Sequence, residues 1–390
     1  MSLREIADGV WWCGAVDWDR RMFDALVPTP AGTSYNAYLV RGSEKTALLD
    51  TVDETQQSAL LDSLRDVPRL DYVVSHHAEQ DHSGTIPAVL ARYPEARVLA
   101  TPAGCNLLRD LVDLPEDRMQ AVKDGETLPL GGKTLRFLAT PWVHWPETMV
   151  SWLEEDGILF SCDLFGSHLA TSDLYAEDRL RVCHEAQRYY AQIMMPYAKF
   201  VAKNIEKVGA LPLRVIAPSH GPLFRDPEFI VNAWREWASA PPGNAAVVAY
   251  VSMHHSTRKM AARLVETLTA QGVRVEQFDL AATDLGLLAM ALIHASTLCL
   301  GTPAVLNGLH PFAAHAAYVI NALKPKLRHA ALFGSYGWGP KPLENLAAHL
   351  PDLALEILPP ALCRGRPRDP DFRALDALAG NIAAKHAGAG

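Results

Sequence analysis

The sequence has little of several features that mark specialised protein classes. It contains only six cysteines and no Cys-x-x-Cys pair, so neither a zinc knuckle nor a rubredoxin-type iron centre is encoded. No apolar run approaches the roughly 18 residues of a membrane span, and the first residues lack a basic segment leading into an apolar one. We therefore expect a cytoplasmic protein with reduced thiols and no membrane association.

Positive charge is also scarce. Lys and Arg number 36 against 44 Asp and Glu, which gives a formal net charge of -8 at pH 7. Binding to nucleic acid requires a concentrated basic face that neutralises phosphates, and none is visible. The composition therefore argues against a nucleic-acid partner and favours a small molecule or another protein.

The chain is long enough for two domains. Its 390 residues are about twice the length at which single cores usually split, and 49% apolar with 21% charged residues is ordinary globular composition. The most linker-like stretch in the middle of the chain is AlaSerAlaProProGlyAsn, residues 238–244. We predict one domain over residues 1–241 and a second over residues 242–390.

Short apolar runs alternate with helical patterns on both sides of this boundary. In the first part they predict a mixed α/β layer domain, with strands at 46–50, 71–75, 97–100, 134–140, 157–161 and 214–219. In the second part they predict strands at 245–251, 273–280, 291–301 and 329–335. Strands that alternate with helices in this way are typical of a doubly wound parallel sheet.

Potential metal ligands follow the predicted strands of the first part. Four lie together in one short segment and three each follow a separate apolar strand: His77, Glu79, Asp81, His82, His144, Asp163 and His220. Because strand ends converge at one rim of a sheet, these side chains are expected to hold two cations. Asp163 stands alone between two histidine contributions and is the best candidate for a bridging carboxylate. The alternative is that these are unrelated polar residues at loop starts.

The nine histidines outside the candidate sites are expected to be surface residues or satisfied core residues: His76, His168, His184, His294, His310, His315, His329, His349 and His386. Trp145 and Ser83 adjoin the candidate ligands and are candidate supports for them. Ordinary packing explains these two residues equally well.

A second constellation begins where the predicted strand 245–251 leads into the turn SerMetHisHisSerThr and a helix. A hydroxyl-rich turn at a helix N-terminus is a phosphate site, and this turn is not a GxGxxG dinucleotide loop. In a doubly wound sheet the loops after strands 1, 3 and 4 meet at the ligand, and residues 301–308 and 334–340 supply the other two loops. The candidate contacts to a phosphate-bearing ligand are Ser252, Met253, His254, His255, Ser256, Thr257, Thr302, Pro303, Asn307, Ser335, Tyr336, Gly337 and Trp338.

The sequence resembles the flavodiiron proteins, whose motif HxExDH matches residues 77–82. The resemblance covers essentially the whole chain and includes TSYNAYLV (33–40), HWPETMVSW (144–152), YYAQIMMPY (189–197) and PSHGPLFR (218–225). It implies a metallo-β-lactamase-like αββα sandwich followed by a flavodoxin-like doubly wound parallel sheet. It also implies two iron ions (a diiron site) in the first domain and FMN in the second.

The resemblance assigns the seven ligands to two iron ions. One iron would be held by His77, Glu79, His144 and Asp163, and the other by Asp81, His220 and the shared Asp163. In the family, the position of His82 either binds the second iron or turns away from it. Glu79 replaces the middle histidine of the HxHxDH motif of hydrolytic relatives, which makes the site harder and favours iron over zinc. A departure lies at His254 and His255, where the family has Tyr-Gly or a similar pair.

The function implied by the resemblance is reduction of O2 to water, of NO to N2O, or both, with electrons relayed through FMN. One alternative is a zinc-dependent hydrolase of the metallo-β-lactamase fold fused to a flavodoxin-like domain, which Glu79 disfavours. Another is a flavin electron carrier with a vestigial metal site, which the intact ligand set disfavours.

The resemblance and the sequence also limit the partners. Neither a rubredoxin nor an NADH-binding module is attached, so the electron donor is expected to be a separate rubredoxin, flavoprotein reductase or reduced deazaflavin. Electron transfer requires near contact between flavin and metal. The family resemblance implies a head-to-tail homodimer, or a dimer of dimers, in which the two sites work in trans.

Overall fold

The computed structural model describes residues 3–112, 114–305, 307–339 and 346–388. The chain divides into two compact units, the first comprising Met1–Tyr190 and Tyr197–Ser239 and the second Ala191–Pro196 and Ala240–Gly390. Each unit has a hydrophobic core of its own. No helix within the described ranges is both long and apolar enough to cross a membrane.

Sixteen strands belong to the first unit within the described residues. They are β1 (Arg4–Ala7), β2 (Val10–Trp12), β3 (Ala15–Asp17), β4 (Met22–Phe23), β5 (Val27–Pro28), β6 (Thr33–Tyr35), β7 (Tyr38–Arg41), β8 (Thr46–Leu49), β9 (Tyr72–Val74), β10 (Arg97–Ala100), β11 (Met119–Ala121), β12 (Thr127–Pro129), β13 (Thr134–Ala139), β14 (Met149–Leu153), β15 (Ile158–Cys162) and β16 (Val215–Pro218). Seven of them form one sheet, in the order β1-β2-β7-β8-β9-β10-β11, and five form a second, in the order β12-β13-β14-β15-β16. The pairs β3-β6 and β4-β5 form small separate ribbons.

Helices fill the connections of the first unit. They are α1 (Gln57–Ser63), α2 (Gln80–Ser83), α3 (Ile86–Arg92), α4 (Pro102–Val112), α5 (Arg179–Tyr189), α6 (Ala198–Gly209) and α7 (Pro227–Ser239). Shorter turns of 3₁₀ helix cover Glu54–Gln56 and Glu116–Arg118. The π-helix Tyr190–Met194 and the 3₁₀ turn Met195–Tyr197 together span Ala191–Pro196, which belongs to the second unit.

The core of the first unit lies between its two sheets. Tyr38 and Val74 contribute from the seven-stranded sheet, and Phe137 and Phe160 contribute from the five-stranded one. Strands β14 and β15 are buried along their whole length. Such continuous apolar strands are expected where a sheet is covered on both faces, as in a layered sandwich.

Parallel pairing determines where the polar loops of the first unit collect. Strands β8, β9 and β10 are mutually parallel neighbours, and β15 is parallel to β16. The carboxyl ends of parallel neighbours lie at the same edge of a sheet. The loops after β8 and β9 therefore meet at one edge of the first sheet, and those after β15 and β16 meet at one edge of the second.

The second unit is built on one mainly parallel sheet. Its strands are β17 (Ala245–Tyr250), β18 (Arg274–Asp279), β19 (Thr297–Val305), β20 (Gly308–Leu309), β21 (His329–Tyr336), β22 (Glu356–Ile357) and β23 (Ala361–Arg364). Its helices are α8 (Ser256–Ala270), α9 (Leu285–Leu292), α10 (Pro311–Leu323) and α11 (Asp369–Ala387), with a 3₁₀ turn at Leu346–His349. The strand order is β18-β17-β19-β21-β22, with β23 also beside β21 and β20 antiparallel to β19.

Both faces of this sheet are covered. Along β17, Val247 and Ala249 belong to one core cluster, whereas Ala246 and Val248 belong to another on the opposite face. This alternation follows from the two-residue period of a strand. It gives the doubly wound architecture that the sequence pattern predicted.

Two local predictions in the second unit were wrong. The strand predicted at 291–301 begins only at Thr297, because Ala291 and Leu292 form the end of α9. Periodicity cannot separate the last turn of a buried helix from a buried strand that follows closely. The segment 301–308, predicted as a loop, continues β19 to Val305 and then turns back into β20.

Candidate metal centre and cofactor cavity

The seven predicted ligands all follow strand ends in the first unit. The elements position them as follows: His77 after β9, Glu79 at the N-cap of α2, Asp81 and His82 within α2, His144 between β13 and β14, Asp163 directly after β15, and His220 after β16. Six donor side chains come together around Asp163, whose own side chain is buried.

Asp163 faces two groups of ligands with its two oxygens. Its Oδ2 lies 3.2 Å from Nε2 of His144 and 3.6 Å from Nε2 of His77. Its Oδ1 lies 3.1 Å from Nε2 of His82 and 3.5 Å from Nε2 of His220. A carboxylate in this position is suited to bridging two cations.

The first group consists of His77, Glu79 and His144 with Asp163, and its donor atoms all lie within 4.8 Å of one another. Oε2 of Glu79 is 3.0 Å from Nε2 of His77 and 3.3 Å from Nε2 of His144. Two imidazole nitrogens and two carboxylate oxygens thus converge on one point.

The second group consists of Asp81, His82 and His220, which are all buried. Oδ2 of Asp81 lies 3.1 Å from Nε2 of His220 and 3.2 Å from Nε2 of His82. His82 is therefore turned into the cluster. Cys162 is also within reach, and in the metal-free chain burial, and then the charge of Asp163, hold the pKa of its thiol well above the usual range.

Several donor atoms of the cluster are buried and form no hydrogen bond of good geometry with any described residue, although other polar atoms of the cluster lie 3.1–3.5 Å from some of them. They are both carboxylate oxygens of Asp81, both ring nitrogens of His82 and Oδ1 of Asp163. Buried polar atoms that lack partners are rare in folded proteins. A pair of cations bound by carboxylates and imidazoles would satisfy these atoms, so the residues present fit a dinuclear metal site.

The pKa shifts in the cluster arise from the interactions between its buried carboxylates and imidazoles. Burial favours the neutral form of each group, but hydrogen bonds with Asp163 and Glu79 raise the pKa of His144 to about 10. Burial likewise opposes ionisation of Asp163, yet the charge of His82 and the hydrogen bond from His144 hold its pKa well below the usual range. Protonated imidazoles thus supply, in the metal-free chain, the positive charge that the carboxylates require.

Two ligands are oriented through the ring nitrogen that faces away from the cluster. Nδ1 of His77 donates to Oε1 of Glu147 at 2.8 Å, and Nδ1 of His220 donates to the carbonyl of Ser34 at 2.7 Å. Each contact leaves Nε2 free for a metal. Glu147 also accepts a hydrogen bond from the amide of Ala78 at 3.0 Å, which links the His77 loop to the loop before β14.

The two candidate supports, Trp145 and Ser83, both contact the His77 loop. The ring of Trp145 packs edge-on against His77 with 4.9 Å between ring centroids. The hydroxyl of Ser83 donates to the carbonyl of Ala78 at 2.7 Å, across the turn that carries Glu79.

Strained backbone surrounds His144 and Asp163. Non-glycine residues with positive φ include Trp142 at 63°, His144 at 32°, Cys162 at 51° and Phe165 at 70°. Such conformations cost on the order of 1–3 kcal/mol each and persist at sites where the surrounding structure holds them. The strained backbone therefore includes the candidate ligand His144 and the residue that precedes Asp163.

A cavity of about 770 Å³ opens at the carboxyl ends of β17, β19 and β21 in the second unit. This volume is in the range of cofactor pockets. Eleven of the thirteen predicted flavin contacts line it: Ser252, Met253, His254, Ser256, Thr257, Pro303, Asn307, Ser335, Tyr336, Gly337 and Trp338. The ends of β17, β19 and β21 and the residues that follow them thus meet at one cavity.

The phosphate end of this cavity fits an anion. Helix α8 begins at Ser256, and its N-cap residue His255 (φ 66°) makes no side-chain cap, so its first amides have no capping acceptor. The hydroxyl oxygen of Ser252 is buried without a hydrogen-bond partner among the described residues. Uncapped amides at the positive end of a helix dipole are a phosphate-binding arrangement. The residues present therefore fit FMN.

Comparison with known proteins gives the family. Residues 33–221 match the model described as ODP family beta lactamase. The chain is 35% identical over 391 residues to the nitric oxide reductase of Moorella thermoacetica, covering 97% of this chain and 98% of that protein. The rubredoxin oxygen:oxidoreductase of Desulfovibrio gigas superposes with a TM-score of 0.94 at 32% identity, covering 99% of each chain. A mutant flavo di-iron protein from Thermotoga maritima superposes with a TM-score of 0.89 at 25% identity, covering 98% of each chain.

The chain belongs to the flavodiiron protein family. The predicted fold class, a metallo-β-lactamase-like sandwich followed by a flavodoxin-like sheet, is confirmed for this flavodiiron protein. Relatives that match over nearly the whole length are named as oxidoreductases, which favours the redox interpretation over the zinc hydrolase.

The flavodiiron chain also has a carboxylate at the metal cluster that the sequence did not reveal. Asp24 lies between β4 and β5 at a positive φ of 50°, close enough to Glu79 and Asp81 for their charges to act on its carboxyl group. Burial, followed by the charges of Glu79 and Asp81, raises the pKa of Asp24 to about 6. It reaches the cluster from a hairpin and not from a strand end, so the pattern that identified the other ligands could not identify it.

His168 is the second omission. Its Nδ1 is 2.9 Å from the hydroxyl of Thr33, and its buried Nε2 has no hydrogen-bond partner among the described residues. Its ring lies 5.0 Å from that of His220 and 4.9 Å from that of Tyr189. The expectation of a surface or satisfied histidine is therefore wrong for His168. The expectation of a satisfied core histidine holds for His76. Its two ring nitrogens hydrogen-bond Asp50 at 2.7 Å and Ser151 at 2.7 Å.

Two predicted flavin contacts do not line the cavity of the flavodiiron chain. The hydroxyl of Thr302 is turned into the β19 hairpin, where it donates to the carbonyl of Pro303 and accepts from the amide of His310. His255 is exposed at the start of α8. Among the described residues, four that the sequence did not single out also line the cavity: Ala304, Val305, Gly365 and Arg366.

Proposed function

We propose that this flavodiiron protein reduces O2 to water, NO to N2O, or both, at a non-haem diiron centre that receives electrons through FMN. The observation that carries the proposal is the position of Asp163, whose two oxygens face two separate groups of donors. Relatives named nitric oxide reductase and rubredoxin oxygen:oxidoreductase, which match over nearly the full length, support it.

The proposed metal ligands follow the two groups. His77, Glu79 and His144 would hold one iron, Asp81, His82 and His220 the other, and Asp163 both. The inward orientation of His82, 3.1 Å from Oδ1 of Asp163, supports including it as a ligand. Three carboxylates among seven ligands favour iron, which cycles between the ferrous and ferric states, over zinc.

The proposed FMN site lies in the second domain, residues 242–390, and the diiron site in the first, residues 1–241. When bound, the diiron pair supplies two electrons and open coordination positions, and reduced FMN supplies two more electrons. Four electrons are the number needed to convert O2 to two waters without release of partly reduced oxygen, and two suffice to couple two NO molecules.

The chain's own residues control protons and water around the metal cluster. Tyr189 is buried, and burial, then the charge of Asp163, holds the pKa of its hydroxyl well above the usual range, so the hydroxyl remains a hydrogen-bond donor. Burial, then the charge of His220, holds the pKa of His168 well below its usual range, so its ring stays neutral. Buried aromatic residues such as Phe23, 4.6 Å from the His168 ring, exclude water beside them.

Metal and flavin analysis tests this function directly. Protein expressed in iron-replete medium should contain about two irons and one FMN per chain. After anaerobic reduction, one reduced chain should consume about one O2 without forming hydrogen peroxide. Zinc as the main metal, together with no O2 or NO consumption by the reduced protein, would contradict the proposal.

The electron donor is proposed to be a separate protein or carrier, either a rubredoxin, a flavoprotein reductase or a reduced deazaflavin. The name of the Desulfovibrio gigas enzyme supports rubredoxin as the first donor to test. Stopped-flow measurement of FMN reduction by each donor in turn would rank them.

The active assembly is proposed to be a head-to-tail homodimer, or a dimer of dimers, with each flavin serving the metal site of the partner subunit. Trp338 is 86% exposed and Met253 is 48% exposed beside the cavity, as expected for a surface that a second copy covers. Co-purified His77→Ala and Ser256→Ala/Trp338→Ala chains should recover activity that each mutant homodimer lacks. An active monomer in sedimentation experiments would contradict this arrangement.

A cytoplasmic location is proposed from the thiols. All six cysteines are free in the structure, as expected of a reducing compartment. Fractionation of the producing cells would test this location.

A further inference from the structure

The flavin cavity has a fourth wall that the three switch-point loops do not supply. It is formed by Gly365 and Arg366, which directly follow β23. The amide of Gly365 donates to the carbonyl of Tyr336 at 2.8 Å, so this turn is attached to the end of β21. Arg366 thereby enters the cavity wall from the edge of the sheet.

Arg366 has the only permanent positive charge among the described residues that line the cavity. Neighbouring arginines are already engaged, since Arg258 pairs with Asp279 at 2.9 Å and Arg263 pairs with Asp376 at 2.8 Å. Arg364 donates to the carbonyl of Gly337 at 3.3 Å. Arg366 is exposed and has no hydrogen-bond or ion-pair partner within the described ranges, so its guanidinium is free for a ligand.

The packing of β23 against α8 shows which end of the cavity Arg366 approaches. Cys363, three residues before Arg366, has its sulfur 3.6 Å from that of Met260 in α8. Met260 lies about 6 Å along the helix axis from the first residue of α8, Ser256, at about 1.5 Å per residue. The turn that carries Arg366 is therefore beside the first turns of α8, where the uncapped amides lie.

A positively charged side chain would stabilise a phosphate at the end of the cavity next to the start of α8. The first loop offers hydroxyls, amides and His254, but no permanently charged side chain, to what would be a dianionic phosphate. The whole chain is acidic, with a net charge of -8. A guanidinium presents donors in a planar fork that matches phosphate oxygens and forms short, charge-assisted hydrogen bonds.

We propose that Arg366 binds the phosphate group of FMN and makes this cavity selective for FMN over riboflavin. The inference rests on the proposed FMN site and adds a fourth loop to it. Riboflavin carries the same ring and ribityl chain but no phosphate, so it separates a phosphate contact from any contact with the ring.

The test is flavin binding to the full-length apoprotein, measured by quenching of flavin fluorescence with FMN and with riboflavin. Arg366→Gln should weaken FMN binding by about ten-fold or more and leave riboflavin binding within about two-fold. Arg366→Lys should lose less FMN affinity than Arg366→Gln, because lysine retains the positive charge but lacks the planar fork of guanidinium donors. The FMN affinity of Arg366→Gln should also depend less steeply on salt than that of the wild type.

Arg373→Gln is the matched control. Arg373 is an exposed arginine on α11 that lines a separate groove between α8 and α11 and not the flavin cavity. Its variant should bind both flavins like the wild type, and thermal unfolding of each apoprotein should verify equal folding.

The outcomes separate this inference from the proposed function. Wild-type apoprotein that binds no FMN would overturn the FMN site itself. If the wild-type apoprotein binds FMN, two results would overturn the phosphate contact alone. One is an FMN affinity of Arg366→Gln equal to that of the wild type. The other is an equal loss of affinity for FMN and for riboflavin in that variant.

Discussion

Glu147 provides the sharpest test of how the metal cluster is held together. Its side chain is 3% exposed and accepts two hydrogen bonds, from Nδ1 of His77 at 2.8 Å and from the amide of Ala78 at 3.0 Å. Burial opposes its ionisation, but the hydrogen bond and charge of His77 hold the pKa of Glu147 below the usual range. Glu147 therefore acts as an anion that fixes the tautomer and orientation of His77.

Two substitutions separate geometry from charge. Glu147→Gln keeps an acceptor for His77 but loses the negative charge, and it places an amide where Oε2 has no hydrogen-bond partner among the described residues. Glu147→Ala loses both. Loss of such an orienting partner typically costs 10–100-fold in metal affinity, or about 1.4–2.8 kcal/mol. We expect about ten-fold weaker iron binding for Gln and about 100-fold for Ala.

The assay is anaerobic competition for Fe(II) between the full-length protein and a chelator of known affinity. The control is Glu154→Gln, since Glu154 bonds Nε of Arg136 at 2.6 Å and lies outside the ligand groups. Thermal unfolding of the metal-free variants would separate lost folding stability from lost metal affinity. Wild-type iron affinity in Glu147→Ala would refute the reasoning, because His77 would then be oriented without its carboxylate partner.

Three further predictions concern the two sites. Glu79→His should shift metal content from iron toward zinc and abolish O2 reduction while the FMN spectrum stays intact, and unchanged turnover would show that Glu79 is not a ligand. In the metal-free protein, His144 has its pKa raised to about 10, so its stabilisation is complete below about pH 6.5 and is lost as the pH rises toward 10. Asp163 has its pKa lowered, so its stabilisation is present above about pH 4 and is lost only in acid. The melting temperature of the metal-free protein should accordingly fall on the alkaline side, more steeply than in His144→Gln, and equal slopes would contradict this. Finally, His254→Ala should weaken FMN binding more than His255→Ala does, because His254 lines the cavity and His255 does not, and equal effects in a flavin-fluorescence titration would contradict this.

The sequence alone determined the features that depend on local order along the chain. Apolar runs that end in polar residues identified ten of the twenty-three strands within the described residues, and the spacing of His77, Glu79, Asp81 and His82 indicated one short segment of candidate ligands. Parallel strands place their carboxyl ends together, so the remaining candidate ligands could be predicted without knowing the fold in detail. The turn at 252–257 was predicted to bind a phosphate because helix N-termini favour anions.

Only the tertiary structure decided the features that depend on distant segments meeting. Asp24 lies near Glu79 in a hairpin of two-residue strands, and His168 lies beside His220 with one ring nitrogen that has no hydrogen-bond partner among the described residues. Arg366 reaches the flavin cavity because β23 pairs with β21 and packs against α8. None of these positions follows a periodic pattern in the sequence. Each residue is brought to its site by the way its whole strand, helix or hairpin packs against distant segments. For the same reason, the two oxygens of Asp163 could be assigned to separate ligand groups only once β15 and β16 were placed opposite β9.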